Sequence, residues 1–235
     1  MARPFLADAE LVEKAQSGRA DEINTCIGCN QACLDQIFAG KVTSCLVNPR
    51  ACHETELPIQ PARVGKRFAV VGAGPAGMAF AVNAAARGHQ VTLFESSSYI
   101  GGQFNIAKQI PGKAEFYETL RYYRRQLELL GVTLRLSTQA TAADLLGFDD
   151  VILACGIVPR IPAIAGIDHP SVLSYLDVLR DKKPVGKRVA IIGAGGIGFD
   201  TAHYLLNNTH YLLNNNSLPN DSHRLNPQSS QAGHD

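Results

Sequence analysis

The sequence predicts an α/β fold with a parallel sheet, from two observations. Short apolar segments at 68–71 and 91–94 flank an alanine-rich stretch of helical length, which is the pattern of a strand–helix–strand unit. A further apolar segment at 188–192 begins a second unit of the same kind, and each unit has a Gly-x-Gly-x-x-Gly sequence directly after its first strand. Strands linked in this way run parallel and are buried on both faces, which explains why the segments are apolar throughout.

The first glycine motif has each feature of a turn that binds the pyrophosphate of a dinucleotide. Its first glycine permits a tight turn, the second lets a phosphate approach the backbone, and the third lets the helix pack against the strand. An acidic residue at the end of the next strand is placed to accept hydrogen bonds from ribose hydroxyls. A glycine-rich structural turn is the alternative. The predicted site consists of Gly72, Gly74, Pro75, Ala76, Gly77 and Glu95.

Length and composition limit the classes of function. The chain of 235 residues has room for one large or two small domains, and its net charge of +1 gives no indication of nucleic acid or an anionic membrane surface as a partner. No apolar run approaches the ~18 residues that span a bilayer, and the N-terminus lacks the pattern of a signal peptide. We therefore expect a cytoplasmic protein with no nucleic-acid or membrane partner.

Four of the six cysteines lie close together in the first fifty residues. In a reducing compartment this crowding favours metal binding over disulfides. Their spacing, C-x2-C-x3-C-x11-C, favours an iron–sulfur cluster, whereas structural zinc more often uses two separated C-x2-C pairs; zinc and an unligated set remain alternatives. The candidate ligands are Cys26, Cys29, Cys33 and Cys45, while Cys52 is expected to be a small buried residue and His53 to be structural or exposed.

Two segments around these cysteines, 23–33 and 44–49, resemble the bacterial NADPH-dependent 2,4-dienoyl-CoA reductases. Those enzymes form a multi-domain branch of the old yellow enzyme and trimethylamine dehydrogenase family. The resemblance implies that the four cysteines hold a [4Fe–4S] cluster. The family's chain begins with a TIM barrel that carries FMN and the substrate site. Residues 3–8 resemble the last barrel strand and its exit, so the chain is expected to start where such a barrel ends.

The resemblance also assigns the first nucleotide site to FAD and extends it. A Gly-Gly-Gln sequence lies against FAD in the family, which makes Gly102 and Gln103 candidate contacts; an ordinary turn is the alternative. A later predicted strand ends on small residues that pass beside FAD in the family, which adds Ala154 and Gly156. Between them lies Cys155, which has no C-x2-C partner, and we expect it to be buried at the strand end and not catalytic.

The middle of the chain contributes a helix and two further strands. Apolar residues recur at helical spacing over 115–130, which predicts an amphipathic helix, and strands are predicted at 132–136 and 151–156. Three arginines of the helix are most simply its solvated face, with a phosphate or a barrel domain as alternative contacts. They are Arg121, Arg124 and Arg125.

The second glycine motif, with Gly193, Gly195 and Gly198, resembles the nicotinamide site of the same family. The sequence contains no later strand with the residue that would choose between a ribose hydroxyl and a 2′-phosphate. NADP(H) as the cofactor is therefore implied by the resemblance alone.

Together these features give the fold class: an α/β protein with a Rossmann-like FAD-binding domain of the two-dinucleotide flavoprotein type, a cysteine-rich cluster segment and a truncated second Rossmann unit. The expected divisions are a barrel remnant at 1–20, the iron–sulfur segment at 21–60, an incomplete FAD domain at 61–183, the start of an NAD(P)H domain at 184–206 and a disordered tail at 207–235.

The resemblance implies an oxidoreductase in which electrons pass from NADPH through FAD and the cluster to FMN, where an unsaturated fatty acyl-CoA is reduced. FMN belongs to the barrel that this chain lacks, so the chain is expected to be inactive alone, and no catalytic residue is named. Two alternatives remain. The chain is a non-catalytic fragment or a partner subunit that docks on a separate FMN barrel protein, or it is a stand-alone NAD(P)H–acceptor reductase.

Overall fold

The computed structural model of the chain describes residues 1–213. A single sheet of four strands organises the described residues, and most of the helices follow or flank it. In chain order the elements are α1 Arg3–Ala7, α2 Leu11–Gln16, a 3₁₀ turn Ala20–Glu22, α3 Leu34–Phe38, β1 Arg67–Val71, α4 Pro75–Ala86, β2 Gln90–Phe94, α5 Phe104–Ala107, α6 Glu115–Leu129, β3 Thr133–Arg135, β4 Asp150–Leu153, α7 Tyr175–Leu179 and α8 Gly196–Leu213.

The sheet is parallel throughout and has the strand order β3-β2-β1-β4. In the register of β1, Val71 pairs with Phe94 of β2 on one side and with Leu153 of β4 on the other. The chain therefore leaves β1 to one side through α4 and returns later to its other side. This reversal creates a crevice at the carboxyl end of β1, where open α/β sheets bind their ligands. The predicted Rossmann-like α/β fold of the FAD-binding type is confirmed.

The main core lies between this sheet and the helices α4 and α6. Val70, Met78, Leu93 and Leu127 are completely buried there, and each comes from a different element. The alanines of α4 permit a close approach of helix and sheet, since their small side chains leave the helix axis near the strands. The helix predicted over 115–130 and the strands at 132–136 and 151–156 are all present, with bounds shifted by a few residues.

One predicted strand is wrong. Residues 188–192 have the apolar sequence of a buried strand, yet in the described part of the chain they form no strand and pair with no other segment. Ile192 is 75 % exposed, whereas Val70, the residue before the last of β1, is fully buried. A strand needs neighbours on which to form its backbone hydrogen bonds, and no described strand lies beside this segment.

The N-terminal residues are also helical where a barrel strand was expected. Pro4 lies in the first turn of α1, where proline has a favourable φ and its missing N–H costs nothing. The buried Asp8 carboxylate then accepts hydrogen bonds from Lys14 Nζ at 2.8 Å and from the Asn24 backbone N–H at 2.8 Å. These bonds hold the first two helices against the segment that leads into the cysteines.

A second, smaller core joins α8 to the rest of the molecule. Tyr204 of α8 packs with Val178 and Leu179 of α7 and with Ile110, which follows α5. The helix continues through a kink at Asn208 to Leu213, so the tail boundary predicted at 207 falls inside α8. The predicted disorder of residues 214–235 lies outside the described residues. Among residues 1–213, no helix combines the length and apolar character needed to cross a membrane.

Candidate functional site

The first glycine motif forms a tight turn between β1 and α4. Gly72 has a φ of +105°, a conformation that side chains other than glycine disfavour. A Cβ atom added at Gly77 would lie 1.9 Å from the Gly72 carbonyl oxygen, so the third glycine is required for the helix to begin this close to the turn. Gly74 caps α4, Pro75 occupies its first position, and the backbone amides of its first turn point out of the helix end.

The Gly-Gly-Gln segment lies directly against this turn. The Gly101 N–H donates to the Ala73 carbonyl oxygen at 2.8 Å, and a Cβ at Gly102 would lie 3.2 Å from the Gly74 Cα. Both Gly101 and Gly102 have positive φ. The Gln103 side chain accepts a weak hydrogen bond from the Tyr175 hydroxyl at 3.3 Å. The structure therefore brings Gly102 beside the first glycine turn, and a hydrogen bond joins Gln103 to Tyr175 of α7.

Glu95 directly follows β2 at the same edge of the sheet, and its carboxylate binds the neighbouring backbone. Its carboxylate accepts the Ala73 N–H at 2.8 Å through one oxygen and the Ser97 N–H at 2.8 Å through the other. Burial opposes ionisation, but the hydrogen bonds from Ser97, Ala73 and Ser96 outweigh it and lower the pKa of Glu95. The side chain is thus held ionised beside the glycine turn, with lone pairs remaining for ribose hydroxyls.

The end of β4 closes the other side of the turn. The Ala154 N–H donates to the Val71 carbonyl at 2.8 Å, and a Cβ at Gly72 would lie only 2.4 Å from the Ala154 carbonyl oxygen. Gly156 follows with a φ of +75°. Cys155 is exposed, and so is Cys52, so the prediction that each is buried is wrong. β1, β2 and β4 thus bring all the candidate FAD residues of the first motif to one sheet edge, as parallel strands must.

The second glycine motif has the same local backbone shape as the first, but its surroundings are more exposed to solvent. Gly193 has a φ of +110°, and a Cβ at Gly198 would lie 2.1 Å from the Gly193 carbonyl oxygen. Gly195 lies between them at the start of α8. The nearby apolar side chains are open to solvent, with Ile197 54 % exposed and Phe199 69 % exposed.

All four candidate metal ligands line one small cavity. The cysteines are partly buried, and their thiols are free. No three metal-ligating side chains of the described residues lie close enough together to hold a single metal ion. The cavity is lined by Cys26, Cys29, Cys33 and Cys45, together with Arg3, Leu6, Ile27, Asn30, Ala32, Leu46 and Val47.

The loop geometry explains how cysteines far apart in sequence reach one cavity. Gly28 and Asn30 have positive φ, which turns the chain between the first three cysteines. The Ser44 N–H donates to the Ala32 carbonyl at 2.7 Å and so places Cys45 beside the earlier turn. Burial raises the pKa of the Cys45 thiol, and the nearby Cys26 and Cys29 raise it further against two backbone hydrogen bonds.

Two asparagines that sequence reasoning did not single out hold this loop in place. The Asn24 side chain donates to the Val47 carbonyl at 2.9 Å, and the Asn48 side chain donates to the Leu6 carbonyl at 2.9 Å. Their only signal in the sequence was their place inside the two segments that carry the family resemblance.

The arginines of α6 also differ from expectation. Arg124 is exposed, as predicted, but Arg121 and Arg125 contact the segment before the first cysteine. A solvated face is therefore wrong for two of the three.

The parallel α/β fold has its first glycine turn at the carboxyl end of β1, where the strand order reverses, and this arrangement defines a dinucleotide-binding protein. The family model for pyridine nucleotide-disulphide oxidoreductases matches residues 66–213, and the chain belongs to that family. Its homologues are flavin oxidoreductases of the old yellow enzyme and trimethylamine dehydrogenase type, which implies flavin and nicotinamide cofactors.

Three relatives show the extent of the likeness. A metal reductase of Desulforamulus reducens is 40 % identical over 208 residues, which cover 86 % of this chain and 31 % of the relative. An NADH oxidase of Thermoanaerobacter brockii is 41 % identical over 211 residues, covering 86 % of this chain and 32 % of the relative. The structure of a 2-naphthoyl-CoA reductase bound to 2-naphthoyl-CoA superposes with a TM-score of 0.86 at 39 % identity, covering 89 % of this chain and 32 % of that one. The chain thus spans about a third of their length.

Proposed function

We propose that this chain is an oxidoreductase electron-transfer module that holds FAD at the first glycine turn and a [4Fe–4S] cluster at the four cysteines. One observation carries the proposal. The four cysteines, spread over two loops, line a single cavity in a chain whose adjoining domain has the fold of a flavoprotein. When bound, FAD accepts electrons in pairs and the cluster passes them on singly.

The donor set fits the cluster. Four thiolates are the ligands of [4Fe–4S] centres, and the four cysteines all line one cavity. Tetrahedral zinc with 2.3 Å bonds would instead draw its four sulfurs to within about 3.8 Å of one another. Cys26, Cys29, Cys33 and Cys45 would hold the cluster, and Leu6, Leu46 and Val47 would keep water from it.

The first glycine turn fits FAD. Gly72, Gly74, Pro75, Ala76 and Gly77 would receive the pyrophosphate at the start of α4, whose partial positive charge favours an anion. The ionised Glu95 would bind the ribose, and Gly102, Gln103, Ala154 and Gly156 would line the rest of the site. The second turn, with Gly193, Gly195 and Gly198, would receive NADP(H).

The finer substrate assignment is a proposal by analogy. The resemblance of the cysteine segments supports a 2,4-dienoyl-CoA reductase-like role in fatty acid oxidation, and one similar structure is a reductase of another acyl-CoA. In this role a barrel with FMN, in a separate subunit or a longer chain, would accept the electrons. We propose the cytoplasm as the location, where free cysteines remain reduced.

Anaerobic purification tests the proposal. The chain reconstituted with ferrous iron, sulfide and FAD should retain iron and sulfide in equal amounts and show the broad visible absorption of a cluster. The matched variant Cys45→Ser should lose the cluster and keep FAD, since Cys45 lines the cysteine cavity, to which no residue of the glycine turn contributes. A colourless protein with one tightly bound zinc ion would refute the cluster assignment.

A second candidate function, a stand-alone NAD(P)H–acceptor reductase, is favoured by the intact local shape of the second turn. It predicts NADPH-dependent reduction of an artificial dye by the FAD-loaded chain. The Gly198→Val variant, which would block the turn, is the control. Absence of turnover with FAD demonstrably bound would eliminate this candidate.

A further inference from the structure

A single arginine of the dinucleotide-binding domain holds the chain just before the first cysteine. Arg121 projects from α6, and its guanidinium donates to the Ala20 carbonyl at 3.1 Å, to the Ile23 carbonyl at 2.8 Å and to the Thr25 hydroxyl at 3.3 Å. It also donates to the Asp21 carbonyl. The sequence separation is close to a hundred residues in each case, so these bonds join two parts of the chain that are otherwise distant.

The same helix also contacts the candidate FAD site, through Leu120, the residue before Arg121. A Cβ at Gly101 would lie 2.7 Å from the Leu120 side chain, so Leu120 packs directly on the Gly-Gly-Gln segment. Consecutive residues of α6 therefore contact the FAD-site loop and the cysteine segment. Leu127 anchors the helix in the main core, where it is fully buried.

Neighbouring charges reinforce the contact. Arg125, one turn along α6, lies 3.0 Å from the Asp21 carboxylate, and Glu118 at 2.7 Å fixes the orientation of the Arg121 guanidinium. The planar guanidinium of Arg121 thus donates to three main-chain carbonyls and one hydroxyl. Lysine has a single ammonium and cannot match that geometry.

We propose that Arg121 is a positioning residue that fixes the cysteine-ligand loop relative to the dinucleotide-binding domain. This inference rests on the proposed function, which assigns the cysteine-ligand loop its role of holding a cluster. The bonds end at Thr25, the residue immediately before Cys26, so releasing them frees the first ligand to move. Arg121 also places a positive charge beside the loop, and local charge is one of the factors that set a cluster's reduction potential.

The test compares Arg121→Ala and Arg121→Lys with the matched control Arg124→Ala, an exposed arginine on the same helix. In the metal-free chain, the alkylation rate of each cysteine by iodoacetamide is followed by mass spectrometry. Arg121→Ala should raise the rate at Cys26 about tenfold, because several hydrogen bonds that restrain the segment are lost. The rate at Cys155 is the internal control and should not change.

In the chain reconstituted with iron and sulfide, Arg121→Ala should lose iron to a chelator about tenfold faster and show a lower midpoint potential. Arg121→Lys should lose iron at an intermediate rate and retain the parent potential, because it keeps the charge. FAD affinity should be unchanged in all three variants. A residue that merely stabilises the fold would not show these two separate effects, one of its charge on the midpoint potential and one of its hydrogen bonds on the rate of iron loss.

The outcomes separate the two proposals. A parent chain that takes up no iron would refute the cluster, while the alkylation rates would still decide the role of Arg121. Equal Cys26 rates in Arg121→Ala and Arg124→Ala would overturn the positioning role. If Arg121→Ala does not fold, Arg121→Lys decides, and a Cys26 rate equal to that of the parent would overturn the inference.

Discussion

The two glycine turns of this chain have nearly the same local geometry in very different surroundings. Their first glycines have φ angles of +105° and +110°, and their third glycines would place a Cβ 1.9 Å and 2.1 Å from the first carbonyl. The first turn, however, is pressed against the end of β4. At Gly193 a Cβ would meet no atom of the described residues within 4 Å, whereas at Gly72 it would strike the Ala154 carbonyl.

The comparison shows which parts of the motif are encoded locally. A short sequence of glycines and a following helix suffice for the turn, since both copies adopt it. The strand before the turn depends on partners far along the chain, because its hydrogen bonds are made to other strands. Residues 67–71 have such partners on both sides, and residues 188–192 have none among the described residues.

The largest effect is expected from replacing the first glycine of each motif with alanine. Gly72→Ala and Gly193→Ala share the cost of a positive φ, about 1–2 kcal/mol. Only Gly72→Ala adds a collision with backbone, at 2.4 Å from the Ala154 carbonyl oxygen. We expect Gly72→Ala to lower the free energy of unfolding by more than ~3 kcal/mol or to prevent folding, and Gly193→Ala to lower it by no more than the shared ~1–2 kcal/mol. Urea denaturation followed by circular dichroism measures both.

Equal losses in the two variants would show that the second turn is as firmly embedded as the first. That result would contradict the structural difference on which the comparison rests.

Limited proteolysis examines the same difference along the chain. Trypsin should cut first at Lys187 or Arg188, in the exposed segment between α7 and α8, and leave the sheet intact. Mass spectrometry of the early fragments identifies the site. A protected fragment that extends from the sheet past Asn207 would show that the second unit is structured as a whole.

The sequence predicted the sheet and the first turn well because both follow from short-range pattern. An apolar segment, glycines at fixed spacing and a helix with small residues are sufficient to place Gly72, Gly77 and Glu95 at one edge. The same pattern predicted a strand at 188–192 that does not form. Periodicity records the side chains of a segment and says nothing about whether a partner strand lies beside it.

The contacts of Arg121 were beyond prediction for another reason. A charged residue on an amphipathic helix is usually solvated, and nothing in its own neighbourhood distinguishes Arg121 from Arg124. Its partners are main-chain carbonyls of residues 20–23, and carbonyls have no sequence signature. The spacing of the cysteines suggested that they would meet, whereas the support from Asn24 and Asn48 emerged only in the structure.

A smaller effect is expected at Glu95, which only the first turn possesses. Glu95→Gln should lower the free energy of unfolding by about 1–2 kcal/mol at neutral pH, because one amide cannot replace both acceptor oxygens. The folded-state pKa is below the ordinary value of 4.5, so the carboxylate stabilises the fold above that pH and the contribution is lost as the pH falls through the lowered pKa. The difference between parent and variant should therefore shrink as the pH falls below 4.5. Denaturation curves from neutral pH to pH 3 measure it, and a difference that does not shrink over this range would contradict the assigned hydrogen bonds.

The smallest effect is expected at the ion pair that links α8, the helix of the second turn, to the loop before α6. Lys113, in the loop before α6, forms an ion pair with Asp200 in the first turns of α8, and both side chains are about one third exposed. Lys113→Ala should lower stability by less than ~1 kcal/mol, because solvent screens such a pair. The segment around Lys187 should nevertheless be cut about two- to threefold faster at low salt, since the ion pair helps to hold the start of α8 against the loop before α6. Lys108→Ala is the matched control, as its cation lies over Tyr117 at 4.6 Å and makes no ion pair among the described side chains. At high salt the rates for Lys113→Ala and the parent chain should converge, because screening removes the ion pair from the parent as well. Rates that remain different at high salt would mean that the lysine stem, packed on its neighbours, holds α8 in place of its charge.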